Sequence, residues 1–253
     1  METVIVTDRG KVRQHNEDSV GVFKNEDGDV LAVVADGMGG HLAGDVASQM
    51  TIAILKEMWE SASRISSPDL AVNWLKEHIE KVNSILLEHA LTHPDCKGMG
   101  TTVVAAVCTG SFATIGHIGD SRGYLCNTDG FKQITEDHSL VNELVRSGQI
   151  SKEDAEHHPR KNVLVRALGT EEHVELDLTS ICLEESDILL LCSDGLSNKV
   201  GESEMKQTLT SLGSLNEIAL SLVNQANDNG GEDNISLVIV KQPSEIKEGD
   251  QTC

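Results

Sequence analysis

The feature that most constrains this chain is where its aspartates fall. Val33-Val34-Ala35-Asp36-Gly37, Ile115-Gly116-His117-Ile118-Gly119-Asp120 and Leu190-Leu191-Cys192-Ser193-Asp194-Gly195 each bring an apolar run to an end on an Asp. Asp233 stands just before the apolar run 235–240, and Glu17-Asp18 precedes the run 20–23. Runs of this kind become buried strands, so these carboxylates must sit at the edge of a core. An ionised carboxylate there is costly unless it is paired or binds a metal. No Lys or Arg is an immediate neighbour of Asp36, Asp194 or Asp233. Several such groups brought together repel one another. Divalent cations are the remedy, and oxygen-only ligands suit Mg²⁺ or Mn²⁺.

The plainer reading of Asp-Gly is a turn. It is accepted for Asp27-Gly28 and Asp129-Gly130, each of which sits between two β-rich runs as in a hairpin. Asp36-Gly37 instead leads into Met38-Gly39-Gly40-His41 and a helical pattern, and Asp194-Gly195 leads into Leu196-Ser197-Asn198. For Asp120 a local ion pair with Arg122 has an equal claim, and Asp233 taken singly reads equally well as a loop residue. The four together are harder to dismiss. Arg13, in Arg13-Gln14-His15-Asn16-Glu17-Asp18, could fork onto phosphate oxygens. From the residues alone, a surface ion pair with Glu17 or Asp18 is the better reading. Two metals with an Arg clamp suit phosphate-ester hydrolysis, in which the metals activate a bridging water and neutralise phosphoryl oxygens.

The β-rich runs form three groups: 3–7, 20–23 and 30–35; 102–108, 113–118, 123–127 and 132–134; 188–192 and 235–240. Between the first two groups lie two helical stripes. One follows Val46, Ala47, Met50, Ile54 and Met58; the other opens at Ser67-Pro68 and follows Ala71, Trp74, Leu75, Ile79, Val82, Ile85 and Leu86. Ser214 and Glu217 form a capping box for a helix that stops near residues 229–231. A polar, helix-prone insert spans about 137–172. The pattern predicts one α+β domain over 1–241, a sandwich of mainly antiparallel sheets covered by helices, and a polar tail over 242–253.

Charge narrows the partners. The chain has 20 Lys+Arg against 41 Asp+Glu, a formal charge of −21, which argues against nucleic acid and anionic membranes as main partners. No apolar run approaches the roughly 18–20 residues of a membrane span. The start, Met1-Glu2-Thr3-Val4, lacks the pattern of a signal peptide. Six scattered cysteines without a CxxC pair fit a reduced, cytoplasmic protein. With no heptad seam, monomer is the default expectation.

At these residues the chain resembles the metal-dependent protein phosphatases of the type 2C (PPM) family, most of all the compact bacterial serine/threonine phosphatases. The matching segments run from Thr7-Asp8-Arg9-Gly10 and Arg13 to Asp18, through Asp36-Gly37-Met38-Gly39-Gly40-His41, Gly98-Met99-Gly100-Thr101-Thr102, Gly119-Asp120-Ser121-Arg122 and Thr135-Glu136-Asp137-His138-Ser139, to Ser193-Asp194-Gly195 and Asp233-Asn234-Ile235-Ser236. The resemblance implies an α-β-β-α four-layer sandwich of two mainly antiparallel sheets flanked by helices, with a metal centre at one end of the sheets. Asp36 would bridge two Mn²⁺ or Mg²⁺ ions, the Gly37 carbonyl would bind one, and Asp194 and Asp233 the other. Asp120 with Asp194 would hold a third. Glu17 and Asp18 match acidic positions that hold metal-bound waters, and Arg13 becomes the phosphate clamp. The insert matches the flap beside the active site.

The implied activity is hydrolysis of phosphoserine and phosphothreonine by a metal-bridging hydroxide, on phosphorylated proteins opposite a cognate Ser/Thr kinase. Met38 replaces the histidine that animal members carry and cannot donate a proton. His41 or a metal-bound water could serve, so the acid stays unassigned. The alternatives are a catalytically inactive metal-binding signalling partner of the same fold, with Met38 as its only foothold, and a nucleotide phosphodiesterase.

Overall fold

The computed structural model describes residues 1–40 and 43–243, with Glu156 described by its backbone alone. Eleven strands follow the chain as β1 (Glu2–Asp8), β2 (Asp18–Lys24), β3 (Val30–Met38), β4 (Gly100–Thr101), β5 (Val103–Cys108), β6 (Phe112–Ile118), β7 (Arg122–Asn127), β8 (Gly130–Gln133), β9 (Asp177–Cys182), β10 (Ile188–Cys192) and β11 (Ile235–Lys241). Helices α1 (Ala43–Glu60) and α2 (Pro68–Thr92) lie between β3 and β4. The short α3 (Leu140–Arg146) and α4 (Lys152–Glu156) lie in the insert. After β10 come α5 (Asp194–Ser197), α6 (Glu202–Leu209) and α7 (Leu215–Asp228).

The strands form two sheets, ordered β1-β11-β10-β7-β8 and β2-β3-β5-β6-β9, with β4 added on β3, and every pairing is antiparallel. Alternation along the central strands builds the layers. On β3, Val30, Ala32 and Val34 face the other sheet and pack with Leu189, Leu191, Val238 and Val240. Leu31 and Val33 face outward onto Leu55, Trp59, Leu75 and Ile79 of α1 and α2. On the far side, Leu190, Leu237 and Ile239 pack against Met205 of α6 and Ile218 and Leu222 of α7. A strand buried on both faces reads as continuous apolar sequence. That explains the unbroken runs, and the result is the four-layer sandwich.

The helix signals work as expected. Ser67 accepts a hydrogen bond from the Leu70 amide with Pro68 opening α2, and Ser214 and Glu217 cap α7 reciprocally. Asp27-Gly28 and Asp129-Gly130 are the turns of the β2–β3 and β7–β8 hairpins. Two strand expectations differ. β3 runs on through Asp36 and Gly37 to Met38, and the run 102–108 breaks at Thr102. β9, which no sequence signal gave, closes one edge of its sheet. Gln242 is anchored, its amide donating to the Asp187 carbonyl (2.9 Å) and its side chain to Gly110 O (2.6 Å). The rest of the polar tail, 244–253, lies outside the described residues.

Candidate metal centre

The antiparallel pairings bring the end of β3, the start of β2, the loop after β6, the end of β10 and the start of β11 to the same end of the sandwich. Asp36, Asp18, Asp120, Asp194 and Asp233 stand at those points. A cavity of about 490 Å³ opens there, and Arg13, Glu17, Asp36, Gly37, Asp120, Asp194 and Asp233 all line it. Asp18 sits behind it, 7% exposed. The insert forms one wall through Asn162, Leu164 and Arg166.

Each carboxylate is fixed through its neighbours. Asp36 and Asp18 stand directly opposite in the β2–β3 register, an arrangement that is unfavourable for like charges. The Asp36 backbone is held by Thr102, whose Oγ1 accepts from the Asp36 amide (3.0 Å) and whose amide donates to the Asp36 carbonyl (2.8 Å). Ser193 Oγ donates to Asp18 Oδ2 (2.8 Å) and accepts from the Ser236 amide (3.0 Å). Asn198 Nδ2 donates to Asp194 Oδ2 (3.1 Å). Asn234 ties the N-terminal loop to the site: its Oδ1 accepts from the Glu17 amide (2.8 Å), and its Nδ2 donates to the carbonyls of Arg9 and His15 (2.9 Å each). Gly37 is pressed against the first turn of α1, and a Cβ there would lie 2.0 Å from the Gly44 carbonyl oxygen.

Arg13 Nη2 donates to Asp233 Oδ2 at 2.8 Å. The ion pair read from sequence therefore exists, but with Asp233 and inside the cavity, not with Glu17 or Asp18 on the surface. The local pair of Asp120 with Arg122 does not form, because Arg122 forks onto Asp137 (2.6 and 2.9 Å). Asp120 keeps its place on the cavity wall. Met38 also lines the cavity, while His41 lies outside the described residues.

Electrostatics shows what this arrangement lacks. Burial, then the charges of Asp18, Asp194, Asp120 and Asp233, hold the Asp36 carboxyl well above the usual range. Burial pushes Asp18 up to about 7, Asp120 up to about 7 and Asp194 up to about 6, with neighbouring aspartates adding to each. Asp18 Oδ1 and Asp194 Oδ1 are buried with no hydrogen-bond partner among the described residues. Buried carboxylate oxygens without donors, crowded around a cavity whose bordering cations are Arg13 and Arg166, fit hard divalent cations.

Thr102, Ser193 and Asn234 were not singled out by their sequence. Each acts on backbone or carboxylate groups dozens to hundreds of positions away, so no local spacing marks it. His117, His138 and Asp177, which are absent from the cavity lining, also bring atoms able to bind a metal within 4.8 Å of one another.

A four-layer sandwich with this carboxylate cavity at one end defines a metal-dependent phosphatase, and the chain belongs to the protein phosphatase 2C family, whose profile matches residues 8–228. It is a serine/threonine protein phosphatase. The serine/threonine phosphatase stp of Listeria innocua is 50% identical over 236 residues, covering 93% of this chain and 94% of that protein. Among solved structures, serine/threonine phosphatase Stp1 from Staphylococcus aureus superposes with a TM-score of 0.91 at 39% identity, over 95% of this chain and 94% of that one. The catalytic domain of the phosphatase PstP, in complex with two manganese ions, matches with a TM-score of 0.81 at 36% identity, over 94% and 96% of the two chains.

Proposed function

We propose that Asp36, the Gly37 carbonyl, Asp194 and Asp233 hold two Mn²⁺ or Mg²⁺ ions and that Asp120 with Asp194 holds a third. The observation that carries this reading is the pair of buried oxygens on Asp18 and Asp194 without a partner among the described residues, within a ring of mutually repelling carboxylates. Bound there, divalent ions supply charge neutralisation of the phosphoryl group and a water activated at neutral pH. Glu17 and Asp18 orient the water shell. Arg13 binds substrate: its guanidinium turns from Asp233 to fork onto two phosphoryl oxygens, a geometry that Lys could not reproduce. Asn234 keeps the Arg13 loop beside Asp233 through its contacts to Arg9, His15 and Glu17. The insert wall, with Arg166, meets the polypeptide that flanks the phosphorylated residue.

The substrates are phosphoserine and phosphothreonine proteins, and the biological counterpart is a Ser/Thr kinase. Among the described residues no helix is long and apolar enough to cross a membrane. We read the setting as cytoplasmic and the chain as a monomer.

The test is hydrolysis of p-nitrophenyl phosphate and a phosphothreonine peptide with Mn²⁺ or Mg²⁺. Activity is expected to vanish in excess EDTA and in Asp36→Ala and Asp233→Ala. Arg13→Ala, which removes charge-assisted hydrogen bonds of about 1.5–3 kcal/mol, should lower kcat/KM roughly 10- to 100-fold. Full turnover in EDTA would overturn the reading. Metal binding without turnover would favour the inactive signalling partner.

A further inference from the structure

The group formed by His117, His138 and Asp177 has the composition of a metal site, but its hydrogen bonds assign it another task. His138 Nδ1 accepts the amide hydrogen of Gly119 at 3.1 Å. The proton of a neutral ring therefore sits on Nε2, which faces Asp177 Oδ2 at 3.4 Å. Both ring nitrogens are committed. Arg166 Nη1 also stands 3.3 Å from Nε2, which sets a cation where an ion would have to lie. The ring itself is clamped. His138 is only 5% exposed and stacks on His117 with ring centroids 4.6 Å apart, and His117 Nε2 is bonded to the Glu136 carbonyl (2.8 Å).

What this clamp holds is the turn that presents Asp120. The His138 backbone amide donates to the Gly119 carbonyl at 2.9 Å, so one residue takes both polar backbone atoms of Gly119. Gly119 has φ +104°, and a Cβ there would lie 2.6 Å from Thr102 Cγ2, so the turn admits only glycine. On its other side the turn is held by Ser121 Oγ against Thr102 Oγ1 at 2.7 Å. From the same ring the chain of contacts continues through Asp177 to Arg166 (2.9 Å), which lines the catalytic cavity from the insert.

We propose that His138 is a positioning residue: its Nδ1, bonded to the Gly119 amide, sets the Asp120 carboxylate in place for the third divalent ion and couples that turn to the insert. The proposal rests on Asp120 being a ligand, as argued above. Supports one step removed from a metal typically change its affinity 10- to 100-fold.

The test is Mn²⁺ titration of the full chain by calorimetry, with thermal melting alongside and Asp120→Ala as reference. Asp120→Ala should abolish the weakest binding step and leave the tighter steps. His138→Ala should weaken that same step roughly 10- to 100-fold. His138→Asn, which keeps an acceptor near the position of Nδ1, should restore it to near the parent value. His138→Gln, whose amide reaches the position of Nε2 and keeps the contact to Asp177, should not. A purely structural histidine would lower the melting temperature without separating Asn from Gln. Equal behaviour of the two amide variants overturns the proposal, as does parent-like Mn²⁺ binding in His138→Ala when Asp120→Ala has lost the step. An Asp120→Ala protein that keeps the weak step overturns the reading of Asp120 itself and this proposal with it.

Discussion

Asp18 sets folding against chemistry within one side chain. One oxygen is held by Ser193 Oγ and the other is buried without a partner among the described residues. Burial, opposed by the hydroxyls of Ser193 and nearby Ser236, raises its carboxyl from 3.8 to about 7. The native state thus keeps a proton that the unfolded chain gives up. The contribution of Asp18 to the stability of the metal-free protein therefore falls as pH rises from about 4 through about 7 and is lost above that range. His117 and His138 act with the opposite sign, because burial lowers their affinity for protons and stability falls as pH drops below their usual value near 6.5. A variant comparison isolates the carboxylate. In EDTA, Asp18→Asn should gain stability over the parent little by little from pH 4 to pH 8. The gain should reach a few kcal/mol, because each tenfold change in proton affinity is worth ~1.4 kcal/mol. Urea unfolding across that range checks it, and a difference independent of pH would contradict it. In the presence of Mn²⁺ the gain should shrink, since ions relieve the same repulsion.

Between elements, two cavity carboxylates are fixed by a single close approach of backbone. A Cβ on Gly195 would lie 1.9 Å from the Asn234 carbonyl oxygen, so the first turn of α5 lies directly on the entry to β11. That contact sets the spacing of Asp194 and Asp233. Gly195→Ala should therefore force the two apart, costing roughly 1–3 kcal/mol of stability and weakening Mn²⁺ binding. Gly110→Ala, whose Cβ would meet open space, should change neither. Denaturant melts and Mn²⁺ titration read both effects. The carboxylates themselves were legible in the sequence because a buried strand that ends on Asp violates the ordinary cost of desolvation, and the violation is local. The helices α2 and α7 were legible from their stripes and caps, whereas α1 buries Ala47, Thr51, Leu55 and Trp59, one position on from most of the stripe its sequence suggests. β9 was not legible: in Asp177–Cys182 the apolar residues do not alternate and none is fully buried, as befits an edge strand held by β6 alone. The partner of Arg13 was also hidden, because Asp233 is 220 residues away and is brought beside it by the pairing of β1 with β11 and the contacts of Asn234.

At the scale of the whole molecule, charge opposes substrate approach. The chain carries 41 acidic against 20 basic residues, and the substrate is an anion. Arg13 and Arg166 border the cavity, which Glu17 and Glu171 also line, so any locally positive field is confined to the arginines and the ions they accompany. Surface charges outside act over about 10 Å at 0.1 M salt and further at low salt. They should repel phosphopeptides flanked by Asp or Glu and attract those flanked by Lys or Arg. The effect falls mainly on encounter, so it should appear in kcat/KM and fade with salt. Two phosphothreonine peptides that differ only in the sign of their flanking residues provide the measurement. At low ionic strength the basic peptide should be turned over with a kcat/KM several-fold higher. Above roughly 0.5 M salt, where screening lengths fall well below that distance, the two should converge. Equal turnover at low salt would mean that the arginines and ions at the cavity mouth govern recognition alone and that the acidic exterior has no part in choosing the substrate.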